Sequence, residues 1–254
     1  MKKNIIITSG PTNERIDSVM KITNMSTGAL GCIMAETLLE EKEEEIEKIF
    51  YVSTKMSYKP RVANPKIECV TVETTQDLID ALQDIFSKNK IDIMIHSAAV
   101  GDYAGKYSIR AEELVDEIWD TIQSVPVKDI TKEMLINIFE NPRSVADNSG
   151  KMSSYEPHLM TMLTLTPKVI GMVKKFAPDV KLVGFKLLDG VTKEELLKVA
   201  MRLREKNKAD YIVANDLSKI GGGKHWAMIV GEEGIVCECE TKKDIAKAIG
   251  DLVF

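Results

Sequence analysis

Residues 3–41 read KNIIITSGPTNERIDSVMKITNMSTGALGCIMAETLLEE, and this stretch decides the fold class. It opens with three consecutive isoleucines between polar residues, a short β-branched run of the kind a strand buried on both faces requires. From residue 28 to 41 apolar residues recur three and four positions apart, which is the period of a helix packed along one side. A polar loop of about fifteen residues joins the two, and a connection of that length is usually functional. Strand, long loop and helix together announce an α/β unit whose ligands gather where the strand ends.

Outward from this unit the pattern repeats. Apolar runs at 49–53, 67–72, 91–100, 182–187 and 211–214 read as further buried parallel strands, and helical periodicity marks 75–88, 168–176 and 192–207. Alternating strand and helix predicts a Rossmann-like, doubly wound, mostly parallel sheet. Two stretches break the alternation. Residues 110–150 are charged and irregular, with helical pieces at 112–122 and 132–139, and read as an insertion. A glycine cluster at 221–223 precedes two apolar runs, 226–230 and 235–239, separated by GEEG, which read as a C-terminal β-hairpin. The acidic run 40–47 is a solvated helix end. A single domain over 1–254, with the insertion at about 110–150, is expected.

A chain of 254 residues with 44% apolar content buries roughly three-quarters of its unfolded surface, so neither disulfide nor metal is needed for folding. A net charge of -5 and a pI near 5.5 argue against wrapping nucleic acid. The apolar run near the N-terminus is far short of a signal or membrane segment, so a cytoplasmic location is expected and no membrane partner. Cys32, Cys69, Cys237 and Cys239 form no pair of CxxC clusters and read as core thiols, leaving no protein metal site. His96, His158 and His225 stand singly and read as hydrogen-bonded partners without chemistry.

The candidate site residues follow the strands. Ser26, Thr27 and Gly28 open the first helix, where free amides and the helix dipole favour an anion, although Ser/Thr-Gly also begins helices that bind nothing. Ala98 and Ala99 let a flat ligand approach the backbone, with Asp102 and Tyr103 at the mouth; small residues there also simply pack a helix on the sheet. Lys151, between Gly150 and the serines 153 and 154, lies on a loop able to bring a cation to a phosphate; most such lysines are solvated. Pro167 and Lys168 start a helix with proline in its first turn. Phe185 stands near a strand end where a ring can stack on a base or fill the core. Arg202 and Lys206, one helical turn apart, either hold phosphate or form a solvated stripe, and Asn215 and Asp216 are alternatively turn formers.

Taken together, SGPTNERID, ITNMSTGALG, SAAVGDY, GKMSS, LTPKVI, LVGFKLL and ADYIVANDLS resemble, in order and over nearly the whole chain, the phosphopantothenate–cysteine ligase family in its free-standing bacterial form. The resemblance implies a Rossmann-like homodimer that joins 4′-phosphopantothenate to cysteine through an acyl-nucleotide, with CTP or else ATP as co-substrate and Mg²⁺. It places Asn24 at the acyl-phosphate and Lys151 on a flap. Nucleotide contacts fall on Gly10, Ala98, Asp102, Phe185 and the stretch Pro167, Lys168, Val169 and Ile170, with Lys206 as a triphosphate lysine. Departures are Pro11 within the usual GGT, Met20 with Lys21 beside it where arginine is usual, and Ser153 and Ser154 where lysines are common. Bringing two anions together requires cations, helix N-termini and Mg²⁺, and no enzyme nucleophile. The alternatives are an NAD(P)-dependent short-chain oxidoreductase, for which the glycine fingerprint and a Tyr-x-x-x-Lys pair are lacking, and a nucleotide-binding module without turnover.

Overall fold

The computed structural model describes residues 1–254. Along the chain the strands are β1 (Lys3–Ser9), β2 (Asn13–Arg15), β3 (Lys21–Thr23), β4 (Ile46–Thr54), β5 (Ile67–Val72), β6 (Ile93–His96), β7 (Tyr103–Arg110), β8 (Leu159–Leu165), β9 (Lys181–Leu188), β10 (Tyr211–Gly221), β11 (Lys224–Gly231) and β12 (Gly234–Cys239). The helices are α1 (Ala29–Lys42), α2 (Thr75–Lys88), α3 (Ala111–Ser124), α4 (Lys132–Glu140), α5 (Ile170–Phe176), α6 (Lys193–Asn207) and α7 (Lys242–Val253). They fall into two compact units, one of residues 1–12, 24–100 and 168–254, the other of residues 13–23 and 101–167.

The first unit is built on an eight-stranded sheet ordered β12-β11-β10-β9-β6-β1-β4-β5. From β5 to β10 all neighbours pair in parallel, and β11 and β12 add antiparallel strands at one edge. The isoleucines of β1 are fully buried and alternate between the two faces: Ile6 joins the layer beneath α2, α5 and α6, and Ile5 and Ile7 join the layer beneath α1 and α7. Residues that alternate faces and are buried on both are what a central parallel strand demands. Tyr51 and Met34 fill the second layer and Leu82, Met94 and Leu182 the first. The parallel strands fan out in opposite directions from β1 and β6, so the switch in winding, where doubly wound sheets hold ligands, lies between their carboxyl ends.

The second unit is held by two short antiparallel pairs, β2 with β3 and β7 with β8. Its small core consists of Tyr107 and Ile109 from β7, Leu114 from α3 and Ile138 from α4. Asp17, at the turn between β2 and β3, accepts backbone N–H bonds from Val19 (2.7 Å) and Met20 (2.6 Å) with one oxygen and from Met152 (3.0 Å) with the other.

Several expected boundaries move. The loop after β1 is not irregular: it contains β2 and β3, which belong to the second unit. The region expected as an insertion at 110–150 lies within a unit that runs from 101 to 167 and includes the β7–β8 ribbon. Only residues 93–96 of the run 91–100 form a strand; beyond them Ser97 N still donates to Thr8 O (3.2 Å) and Ala99 makes an isolated parallel bridge with Pro11. Glycines 221–223 form the turn between β10 and β11, and β10 reaches through Asn215 to Gly221. Pro167 precedes α5 instead of opening it, and α1 starts at Ala29, not at Ser26 or Thr27.

Helix α2 carries its own start signal. The Thr74 hydroxyl accepts from the Asp77 amide (3.1 Å) and the Asp77 carboxylate accepts from the Thr74 amide (2.9 Å), a reciprocal capping box. Thr74→Ala should lower stability by about 1 kcal/mol and the thermal midpoint by about 2–4 °C, read by circular dichroism. An unchanged midpoint would show that packing alone fixes this helix end.

Candidate functional site

A cleft of about 370 Å³ opens at the carboxyl edge of the sheet in the first unit. At one end it is lined by residues 25–31, the start of α1; Ser97, Ala98 and Ala99 follow from the loop after β6, then Phe185 and Leu187 from β9. Asn215, Leu217 and Ile220 of β10, His225 of β11 and Lys242 at the start of α7 close the other end.

The α1 end is shaped by glycine. Gly28 caps the helix with φ +76, a left-handed conformation, and a Cβ there would lie 3.0 Å from Ser9 Oγ and 3.2 Å from Gly10 Cα. No side chain caps the helix, its first turn has no acidic residue, and the first intrahelical bond is Cys32 N to Gly28 O at 3.1 Å. The preceding amides therefore present partial positive charge to the cleft. Ser9 Oγ donates to Gly28 O (2.9 Å), which ties the loop return to the end of β1. Ser26 and Thr27 make only long 3.4 Å contacts to the amides of Gly28 and Ala29, so they line the cleft without acting as caps.

The floor is a crossing of two loops. Ala99 N donates to Gly10 O (2.9 Å) and Thr12 N to Ala99 O (3.3 Å). Asn24 Nδ2 donates to the carbonyls of Ala99 and Val100 at 3.1 Å each, so the asparagine is locked onto the loop after β6. Beneath it the Thr8 hydroxyl lies 2.8 Å from His96 Nδ1. Burial depresses His96 to a pKa of about 4, which keeps the ring neutral.

The expected residues divide between the two units. Ser26, Thr27, Gly28, Ala98 and Phe185 line it; Gly10 lies directly under Gly28; Asn24 anchors its floor. Lys168 precedes α5, Val169 is in the core, and Ile170 packs on Gly184 of β9. Asp102, Lys151 and Pro167 belong to the second unit, where Thr166 N donates to Asp102 O (3.0 Å). Lys206 is not brought to the cleft. Helix α6 leaves the carboxyl edge after β9 and returns to the amino end of β10, and beyond its last turn Asp210 accepts from Leu182 N (2.8 Å) at the start of β9. A helix that crosses the sheet must end at the opposite edge, and Arg202 and Lys206 go with it. Asp216 is a loop anchor: its carboxylate accepts from the amides of Gly190 (2.9 Å) and Ser218 (3.0 Å), which lowers its pKa. Sequence reasoning missed Leu187, Leu217, Ile220, His225 and Lys242, since these side chains meet only once the hairpin has joined the sheet.

Comparison with known proteins places the chain. The family model described as "DNA/pantothenate metabolism flavoprotein C-terminal domain" matches residues 1–135. A crystal structure of the DNA/pantothenate metabolism flavoprotein from Streptococcus pneumoniae, 32% identical, superimposes with a TM-score of 0.78 over 100% of this chain and 98% of that one. This chain belongs to that family. The coenzyme A biosynthesis bifunctional protein CoaBC of Thermococcus kodakarensis is 28% identical over 98% of this chain and 50% of its own. The chain thus spans about half the length of the curated relatives it matches. A solved structure of a Cab2 variant in complex with phosphopantothenate-cysteine shares the fold at a TM-score of 0.64 with 15% identity over 98% of this chain and 87% of that one.

Within this family member, Asp17 governs the loop that carries Lys151. Met152 N binds its carboxylate and Ser18 N donates to Gly150 O (3.4 Å), so the lysine is bracketed by fixed backbone. The amides of Met20, Met152 and Val19 hold the Asp17 pKa below the ordinary carboxylate range. A depressed folded pKa means that the clamp is complete above about pH 4 and is lost as pH falls through the lower folded value. Asp17→Asn should accelerate tryptic cleavage after Lys151 at neutral pH, and its thermal midpoint should converge with the parent's in acid. Equal cleavage rates in the two proteins would show that the clamp does not order this loop.

Proposed function

We propose that the chain is a phosphopantothenate–cysteine ligase acting in the cytoplasm as a homodimer, with CTP as co-substrate and ATP the alternative. The observation that carries this reading is the uncapped, acid-free N-terminus of α1 facing a cleft whose floor is held by Asn24. The triphosphate takes the α1 end. The carboxylate oxygen of 4′-phosphopantothenate attacks the α-phosphorus, the bond to the β-phosphate bridging oxygen breaks, and pyrophosphate leaves. Cysteine's amine then attacks the acyl carbon, nucleoside monophosphate departs, and the nitrogen loses a proton. Asn24, with both Nδ2 hydrogens on the carbonyls of Ala99 and Val100, holds the loop after β6 beside the acyl-nucleotide and offers it Oδ1 as an acceptor. Lys151 supplies a cation as pyrophosphate leaves.

No group of three or more His, Cys, Asp or Glu side chains is placed to hold a metal, so Mg²⁺ is read as arriving on the triphosphate, its shell completed by water. No helix is long and apolar enough to cross a membrane. Support for the dimer comes from the edge strand β12, whose Ile235 and Val236 are 38% and 48% exposed and offer a surface for a second copy.

The test is pyrophosphate release from CTP that depends on phosphopantothenate. Asn24→Ala should bind CTP nearly normally yet accumulate acyl-nucleotide; undiminished product formation would remove its role. Lys151→Gln should lower the rate on the order of a hundredfold to a thousandfold, about 3–4 kcal/mol, with little loss of nucleotide affinity. A rate within about threefold of the parent, under 1 kcal/mol, would make Lys151 a solvated loop residue.

A further inference from the structure

The α1 end of the cleft is held from behind by a short loop. After β4 the chain turns through residues 54–59 and lies against the start of α1. Ser57 N donates to Thr54 O (3.1 Å), and the buried hydroxyls of Thr54 and Ser57 lie 2.7 Å apart. Ser57 fits because residue 10 is glycine: a Cβ there would lie 2.7 Å from Ser57 Cβ. Two side chains then lock the loop at Tyr58. Tyr51, fully buried, donates its hydroxyl to Tyr58 O (2.8 Å). Lys59, half-buried, donates to two neutral oxygens at the end of β4, Ser53 Oγ (2.5 Å) and Thr54 O (2.9 Å). An ammonium drawn out of water onto strand-end oxygens closes the loop.

Tyr58 passes this constraint to the cleft wall. Its N–H donates to Thr27 O (3.0 Å), and Thr27 and Gly28 line the cleft. In a trans peptide the N–H points opposite to the C=O of the same plane. Pinning Thr27 O on the loop therefore turns Gly28 N–H to the other side, where its contact is the long one to Ser26 Oγ (3.4 Å). The next plane is pinned in the same manner: Gly28 O accepts from Ser9 Oγ (2.9 Å) and Cys32 N (3.1 Å), which fixes the direction of Ala29 N–H. Gly28 needs both pins. At φ +76 and without a Cβ, it lets the flanking peptides rotate at little steric cost, so neighbours must impose the amide direction. Arg61 N, donating to Glu36 Oε1 (2.7 Å), ties the loop to α1 a second time.

We propose that Tyr51 and Lys59 are positioning residues for the α1 end of the cleft: through Tyr58 they fix the peptide between Thr27 and Gly28 so that Gly28 N–H is presented to an anion. This rests on the reading that a nucleoside triphosphate lies in the cleft with its phosphates at α1. Neither side chain lines the cleft, so both act through the backbone.

The experiment compares the parent, Tyr51→Phe and Lys59→Met by titration with inorganic tripolyphosphate and by the KM values for CTP and for cysteine. Tyr51→Phe keeps the buried ring and removes no charge, so it should fold even if the lysine variant does not. Both variants should weaken tripolyphosphate binding and raise the KM for CTP by about fivefold to tenfold, with the KM for cysteine unchanged. A purely structural role would lower kcat with the folded fraction and leave every KM alone. If the parent binds tripolyphosphate and both variants match it, the positioning role falls while the nucleotide reading stands. Loss confined to one variant would overturn the shared role; confined to Lys59→Met, it would place the ammonium on the anion itself. A cysteine KM that rises as much as that for CTP would also overturn it. If the parent binds neither CTP nor tripolyphosphate, the nucleotide reading itself fails and this role goes with it.

Discussion

The site depends on the crossing of two loops at the point where the sheet reverses its winding. Gly10 and Ala99 exchange support across that point, with Ala99 N on Gly10 O at 2.9 Å, and Asn24 Nδ2 closes the junction on Ala99 and Val100. Two parallel strands diverge there and leave a crevice that no side chain fills. The backbone must approach closely, which is why Gly28 takes a left-handed turn against Gly10 and why a Cβ on Gly31 would lie 2.6 Å from Ser9 Cβ. The same closeness brings the amides at the start of α1 to the crevice without an intervening side chain. The exposure of these amides and the steric demand for glycine therefore have one origin.

The two ends of the cleft divide electrostatic labour. At α1 the positive character comes from backbone amides, which cost no side-chain entropy and do not titrate. At α7 it comes from the Lys242 ammonium alone, set among apolar walls beside the neutral His225 ring. His96 and His225 are both held near a pKa of about 4 by burial, yet their situations differ: His96 Nδ1 is bonded to Thr8, and His225 Nδ1 has no partner. Equal protonation behaviour thus coexists with unequal hydrogen bonding.

The sheet was legible because its strands carry local signals. Three isoleucines in β1 and the apolar run of β9 mark buried strands whatever follows them, whereas β5, expected to be buried, is an edge strand in which only Val72 is buried; the capping threonines of α2 and α6, Thr74 and Thr192, stand directly before the helices they start. The β11–β12 hairpin was legible from its turn. What escaped was decided by distance in sequence. His225, Leu217 and Lys242 reach the cleft because β10, β11 and β12 pair in register, which no local pattern reveals. Lys206 is not among the residues lining the cleft, and helical spacing tells which face a lysine occupies but not which edge of the sheet the helix end meets. Asp17 reaches Met152 across 135 positions, and nothing in SGPTNERID announces that partner.

The central claim is that a carboxylate attacks the α-phosphorus of a nucleotide seated with its phosphates at α1. Phosphopantothenate labelled with ¹⁸O in its carboxylate, turned over with CTP and cysteine, tests this most directly. Mass spectrometry of the products should find one ¹⁸O in the nucleoside monophosphate and none in pyrophosphate. Label recovered in inorganic phosphate, or absent from every phosphorus-containing product, would contradict the account.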